Sequence, residues 1–190
     1  MTSETTQEIT CAVKEYPGNS WQEGTGIFYE SENNLTLNLL EGTKVSGIEP
    51  SSPPMGAMRG VGVYLGTKSE SDLVVNVRHG VQIETSSLRG AGVYLAGSGN
   101  TSIVSAGQIS LLPTADQSGN GFGLAISGLG GGTAYIAHEK DGKIVGSDRA
   151  SLTGVIINQN GNGDAVAEVN GDILLSNTGS GRGARVLITG

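Results

Sequence analysis

The chain has little of what most folds are built on. It has one cysteine, Cys11, among 190 residues, so no internal disulfide can form. A solenoid would not need one, because stacking supplies its stability. Aromatics make up only 4%, too few to build a globular core from large rings. No run of 18 apolar residues occurs, which excludes a membrane-spanning helix. The opening Met1-Thr-Ser-Glu-Thr-Thr-Gln7 is polar and acidic, unlike a secretory signal. The expectation is therefore a cytoplasmic protein or one whose leader has been removed. Positive charge is scarce: 11 Lys and Arg against 18 Asp and Glu leave −7, and the pI is near 4.7. That balance disfavours nucleic acid and anionic membrane surfaces as partners. No segment repeats apolar residues at i, i+3, i+4 and i+7 over three turns, so no helix is expected.

Glycine is abundant: 32 residues, about twice average usage. It recurs with a period. Arg59-Gly-Val-Gly-Val-Tyr-Leu65 returns as Arg89-Gly-Ala-Gly-Val-Tyr-Leu95. Glycines preceding an apolar strand fall at Gly26, Gly62, Gly92, Gly123, Gly154 and Gly183, separated by 36, 30, 31, 31 and 29 residues. A near-constant period in this range marks a repeat architecture whose units bury their apolar faces against one another.

Each period holds three strand signals. The first follows the glycine just named. The second is an alternating run: Leu35–Leu39, Leu73–Val77, Ser102–Val104, Ala134–Ala137 and Ala165–Val169. The third begins at Gly42, Gly80, Gly107, Gly142 and Gly171. Three short strands separated by Gly, Asn, Asp and Ser leave no room for a helix. They fit neither a propeller blade nor a leucine-rich repeat. The prediction is an all-β, three-sided parallel β-helix of about six coils over 25–190, a rod roughly 29 Å long at about 4.8 Å per coil. Residues 1–24 break the repeat and hold Cys11, Tyr16, Pro17 and Trp21; they read as an N-terminal cap or leader. The chain closes in mid-repeat on Arg185–Gly190, so it is expected to be a piece of a longer protein.

Alternation sorts the first strand of each coil. Inward go Ile27 and Tyr29, Val63 and Leu65, Val93 and Leu95, Leu124 and Ile126, Val155 and Ile157, Ala184 and Val186. Outward go Phe28, Tyr64, Tyr94, Ala125, Ile156 and Arg185. The three aromatics stack in one column. They either hold the coils in register or form a stripe that touches a sugar or a protein. The longest interval carries an insertion, Ile48–Met58. Its Pro53 and Pro54 cannot occupy a central strand. With Met55, this loop is the second candidate contact element.

Chemistry is sparse. His79 and His138 lie two repeats apart with no ligand-spaced partner and read as solvated residues. No nucleophile elbow is visible, and Gly179–Gly183 has no following helix to make a phosphate loop. Neither a metal site nor a cofactor motif is read; Gly161-Asn-Gly-Asp164 only weakly resembles a calcium repeat. The acidic stretch Glu139, Asp141, Asp148, Asp164, Glu168 and Asp172 could place two carboxylates across a glycosidic bond. An enzyme would use Asp141, Asp164, Glu168 and Asp172. Asn34-Leu-Thr36 and Asn100-Thr-Ser102 match the glycosylation sequon.

The repeat Gly-Val-Tyr-Leu, Leu-Val-Val-Asn-Val, Gly-Val-Gln-Ile resembles the passenger domains of bacterial autotransporters. So do Thr153-Gly-Val-Ile-Ile157 and Val169-Asn-Gly-Asp-Ile173. The resemblance covers about residues 24–190. It implies a right-handed parallel β-helix, secretion or display at the bacterial cell surface, and a C-terminal outer-membrane β-barrel in the full-length protein. No serine-protease module is recognisable, which leaves the adhesin or host-interacting class. The expectation is a non-enzymatic virulence or adhesion factor that binds a host cell-surface protein or glycan. The alternatives are a structural stalk and a polysaccharide-active lyase or hydrolase.

Overall fold

The computed structural model describes residues 6–12, 15–18, 24–48, 60–86, 90–112, 120–147, 151–176 and 184–190. These hold eighteen strands and no helix. The first coil contains β1 (Thr6–Cys11), β2 (Glu15–Tyr16) and β3 (Ile27–Glu30). The second contains β4 (Asn34–Leu39), β5 (Lys44–Gly47) and β6 (Val63–Gly66), and the third β7 (Leu73–Val77), β8 (Gln82–Thr85) and β9 (Ala91–Gly97). The fourth has β10 (Thr101–Ser105), β11 (Gln108–Leu111) and β12 (Asn120–Gly128). The fifth has β13 (Ala134–His138), β14 (Lys143–Ser147) and β15 (Ser151–Gln159). The sixth has β16 (Ala165–Val169), β17 (Asp172–Ser176) and β18 (Ala184–Thr189).

Every third strand pairs in parallel, giving three six-stranded sheets: β1-β4-β7-β10-β13-β16, β2-β5-β8-β11-β14-β17 and β3-β6-β9-β12-β15-β18. The molecule is the three-sided parallel solenoid that the period predicts. The segment read as a cap or leader supplies β1, which pairs with β4 over six residues, and β2, which pairs with β5.

Inside, columns of like residues run along the rod. Leu37, Val75, Ile103 and Ile136 come from the first sheet, and Val45, Ile83, Ile109 and Ile144 from the second. Val63, Val93, Leu124 and Val155 come from the third, with Leu65, Leu95, Ile126 and Ile157 beside them. All are essentially inaccessible. Two residues assigned inward are not buried. Tyr29, 38% exposed, sits on the first rung of the third sheet, and Val186, 42% exposed, sits on the last. Both have inward parity and sit on end rungs, with no described strand of their sheet beyond them, although Ile27, on the rung of Tyr29, is buried.

Gly26, Gly62, Gly92 and Gly123 mark the corner between the second and third sheets. A Cβ on Gly26 would lie 2.7 Å from Val45 Cγ1 and 3.0 Å from Gly62 O. On Gly62 it would meet Ile83 Cγ2 and lie 2.6 Å from Gly92 O, and on Gly92 it would meet Ile109 Cγ2 and lie 2.7 Å from Gly123 O. Core methyls of the second sheet fill the space that side chains here would take. The corner between the first and second sheets uses Gly42 (φ 84°) and Gly80 (φ 78°), where a left-handed turn selects glycine. At the third corner, the glycine-rich turns are closely stacked. Gly132 lies against Gly99, and Gly161 and Gly163 lie against the carbonyls of Gly130 and Gly132.

Side chains add register at that corner. Asn34 Oδ1 accepts from Asp72 N (2.9 Å), Asp72 Oδ1 from Asn100 N (2.8 Å) and Asn100 Oδ1 from Thr133 N (3.0 Å). Both sequon asparagines thus belong to a ladder between coils.

Candidate functional site

The aromatic column forms as its parity predicts. Ladder pairing sets Phe28 beside Tyr64 and Tyr64 beside Tyr94. The Phe28 and Tyr64 rings stack with centroids 4.8 Å apart and planes 9° apart; Tyr64 and Tyr94 are 5.8 Å apart at 38°. The closer spacing equals the inter-strand distance of about 4.8 Å. Ring faces therefore turn toward one another along the rod, and ring edges face outward. Ala125 and Ile156 continue the column but are buried, although they point away from the core. With Val61 and Ala91 they form a second apolar cluster, against which Tyr64, Tyr94 and Phe122 pack.

Tyr64 also leans along its own strand. A Cβ on Gly66 would lie 2.6 Å from Tyr64 Oη and 2.9 Å from Cε1, so the glycine makes room for the ring. Burial, then Glu30, then Tyr94 push the Tyr64 hydroxyl pKa upward. Beside the ring lies a groove of about 380 Å³, lined by Glu30, Glu32, Tyr64, Lys68, Ala96 and Leu129, with Ser31 and Thr67 completing it. Its rim is tied down. The hydroxyls of Thr67, Ser69 and Ser71 form a chain with Ser69 Oγ 2.8 Å from each neighbour, and Ser71 Oγ donates to the Glu32 carbonyl at 2.7 Å. Sequence reasoning missed this groove. The available signal was the outward column Glu30, Gly66, Ala96 and Ser127, whose small middle members leave a trough beside the rings.

A second groove, about 770 Å³ and more open, crosses the outer face of the first sheet. Tyr135, Glu139, Lys140, Asp141, Glu168 and Asn170 line it. Of the four carboxylates assigned to an enzyme, Asp141 and Glu168 meet here. Asp164 precedes β16 and Asp172 opens β17, and neither lines the groove. All four are exposed, without the apolar pocket that sets a general acid apart from its partner. Burial, then the charge and hydrogen-bonding influence of Glu168, then Glu139 raise the Tyr135 pKa.

His79 is exposed, but His138 is not solvated: it is fully buried. It follows Ala134 and Ile136 in inward parity, and Gly142 leaves space for its ring, since a Cβ there would lie 2.6 Å from His138 Cε1. Nε2 donates to the Asp172 carbonyl at 3.1 Å, while Nδ1 and the adjacent Ser105 Oγ have no hydrogen-bond partner among the described residues. Gly161–Asp164 is a stacked turn whose Asp164 carbonyl accepts from Ala134 N. Among the described residues no group of three His, Cys, Asp or Glu side chains could hold a metal ion. Pro53, Pro54 and Met55, together with Trp21, Asp148 and 179–183, lie outside the described residues.

No family model, curated protein or solved structure matches the chain.

Proposed function

We propose that this chain is a non-enzymatic, surface-exposed binding rod of the autotransporter-passenger kind, which contacts a host cell-surface protein or glycan through the outer face of its third sheet. The observation that carries the reading is the first groove: a polar recess with a tied rim beside a locked ring column, on a face otherwise built of small and apolar residues. Binding sites combine such apolar walls with a few convergent polar groups. A rigid rod presents them without an ordering cost at the moment of binding.

The second groove favours one other reading, a polysaccharide-active enzyme that uses Asp141 and Glu168. One experiment separates the two. The labelled chain is applied to cultured host cells and to a glycan panel, and product release from the glycans is followed in parallel. Saturable binding without product is expected. It should be lost when Tyr64 and Tyr94 are both changed to Ser, with both variant and parent still folded. Product release would replace the proposal with the enzyme. Neither binding nor product would leave a stalk that holds another module away from the cell.

A further inference from the structure

We propose that the first groove is a subsite for the end of a neutral, hydroxyl-rich glycan, one or two sugar units long; this rests on the binding-rod reading and names its ligand. Three features of the groove point there. The first is its unengaged charge of both signs. The Glu30 and Glu32 carboxylates and the Lys68 ammonium line one recess. All three residues are exposed, and among the described residues none of these charged groups makes an ion pair or side-chain hydrogen bond. Carboxylates only accept hydrogen bonds and ammonium only donates them. A ligand that satisfies both must offer donors and acceptors at close spacing, as the vicinal hydroxyls of a sugar do. The Tyr64 hydroxyl, whose pKa burial and Glu30 push up, adds a group that can do either.

The second feature is the apolar part of the lining. Ala96 lies where the outward column narrows to small residues, and Leu129 and the edge of the Tyr64 ring flank it. This suits the C–H surface of a pyranose lying edge-on. It does not offer a free ring face to stack on, because the Tyr64 faces are taken up by Phe28 and Tyr94. The third feature is size. At about 380 Å³ the groove lies near the lower end of the roughly 300–1,000 Å³ range of small-ligand sites. Charge then selects among sugars. Two carboxylates against one ammonium, in a chain of net charge −7, repel sialylated and uronic-acid glycans.

The test uses immobilised neutral, amino and acidic glycans, with the folded chain and two variants as probes, and cell binding measured alongside. Ala96→Leu fills the trough, and Lys68→Met removes the donor while keeping the stem. Neutral glycans should be retained, acidic ones should not, and binding should change little at high salt. Ala96→Leu should weaken neutral-glycan binding by about tenfold or more, and Lys68→Met by about three- to tenfold, with both variants melting as the parent does. Preferential capture of acidic or amino glycans would overturn the proposal. So would neutral-glycan binding unchanged by Ala96→Leu. Cell binding that persists with no glycan retained would sink this subsite and leave the binding rod standing. Loss of both cell and glycan binding would remove the rod reading as well. Should Ala96→Leu fail to fold, Lys68→Met alone decides, and unchanged affinity there also overturns the assignment.

Discussion

The two grooves are made from similar parts. Each has a tyrosine on the outer side of a strand, a glutamate that raises its pKa, at least one further carboxylate and one lysine. They differ in how the tyrosine is held. Tyr64 is clamped between two rings, leans over a glycine and packs against an apolar cluster. Tyr135 has no ring neighbour among the described residues, and Glu168 raises its pKa. The first groove therefore keeps its polar groups free on a rigid wall. Exposed carboxylates line both grooves, so what sets the second apart is that nothing packs against its tyrosine as the rings pack against Tyr64. Rigid walls with unsatisfied polar groups favour binding, because little ordering remains to be done when the ligand arrives. The same residue types on an open face make a solvated surface. This is why the functional proposal rests on the smaller groove.

The comparison can be broken at the frame. Gly92→Val introduces a branched side chain where even a Cβ would meet Ile109 Cγ2 and lie 2.7 Å from Gly123 O. It should cost about 3 kcal/mol or more, a fall in Tm of roughly 6–12 °C. Because a solenoid is stabilised between neighbours, amide protection should fall first in β6, β9 and β12, close to the first groove. β16, at the second groove, should be affected least. A uniform loss across all coils would show that the rod unfolds as one unit and that the grooves are not independent. Gly131→Val is the control: nothing lies within 4 Å of its Cβ position, and the change should stay within about 0.5 kcal/mol.

A smaller effect sharpens the contrast between the tyrosines. Tyr64→Ala removes the middle ring of the stack and its contacts with the outer cluster, for about 2 kcal/mol. Tyr135→Ala removes a ring from an open face, for about 0.5–1 kcal/mol. Thermal melts of both variants decide. Equal losses would mean that the ring stack adds nothing and that Tyr64 is as replaceable as Tyr135.

Much of this was legible in the sequence. The glycine period placed the corners, and alternation placed nearly the whole core. What escaped did so for physical reasons. His138 shares inward parity with Ala134 and Ile136, yet a histidine is usually solvated. The space left by Gly142, on the following turn, and by Gly171, on the next coil, admits it to the interior. Tyr29 has inward parity but lies on an end rung, with no described strand of its sheet beyond it. The carboxylates are close in sequence, but the coil separates them: Asp141 and Glu168 share a groove, and Asp172 does not. The first groove draws Glu30, Lys68, Ala96 and Leu129 from four coils. Their relation becomes visible only once the ladders fix which residue lies above which.

The finest test of the comparison is alkaline titration. Both tyrosines have raised pKa values, and for both burial is the largest cause; Glu168 then acts on Tyr135 by charge and hydrogen bond, while Glu30 acts on Tyr64 by charge. Spectroscopic titration should therefore show Glu168→Gln lowering the Tyr135 pKa more than Glu30→Gln lowers that of Tyr64. Tyr16 serves as an internal marker, pushed from 10.0 to about 12 by its hydrogen bond to Cys11, then by burial and neighbouring charges. A raised folded-state pKa means that the folded chain keeps its proton after the unfolded chain has lost it. The stabilising contribution is complete below pH 10 and is lost as pH climbs toward the folded value. Stability should thus fall above pH 10, and for Tyr16 the fall should extend to about pH 12. Tyr16→Phe should flatten that part of the curve. Tyr64→Phe should flatten its own share while keeping the ring stack and the melting temperature at neutral pH. If Tyr64→Phe instead lowered the neutral melting temperature as far as Tyr64→Ala does, the hydroxyl rather than the ring would be holding the first groove, and the contrast with Tyr135 would collapse.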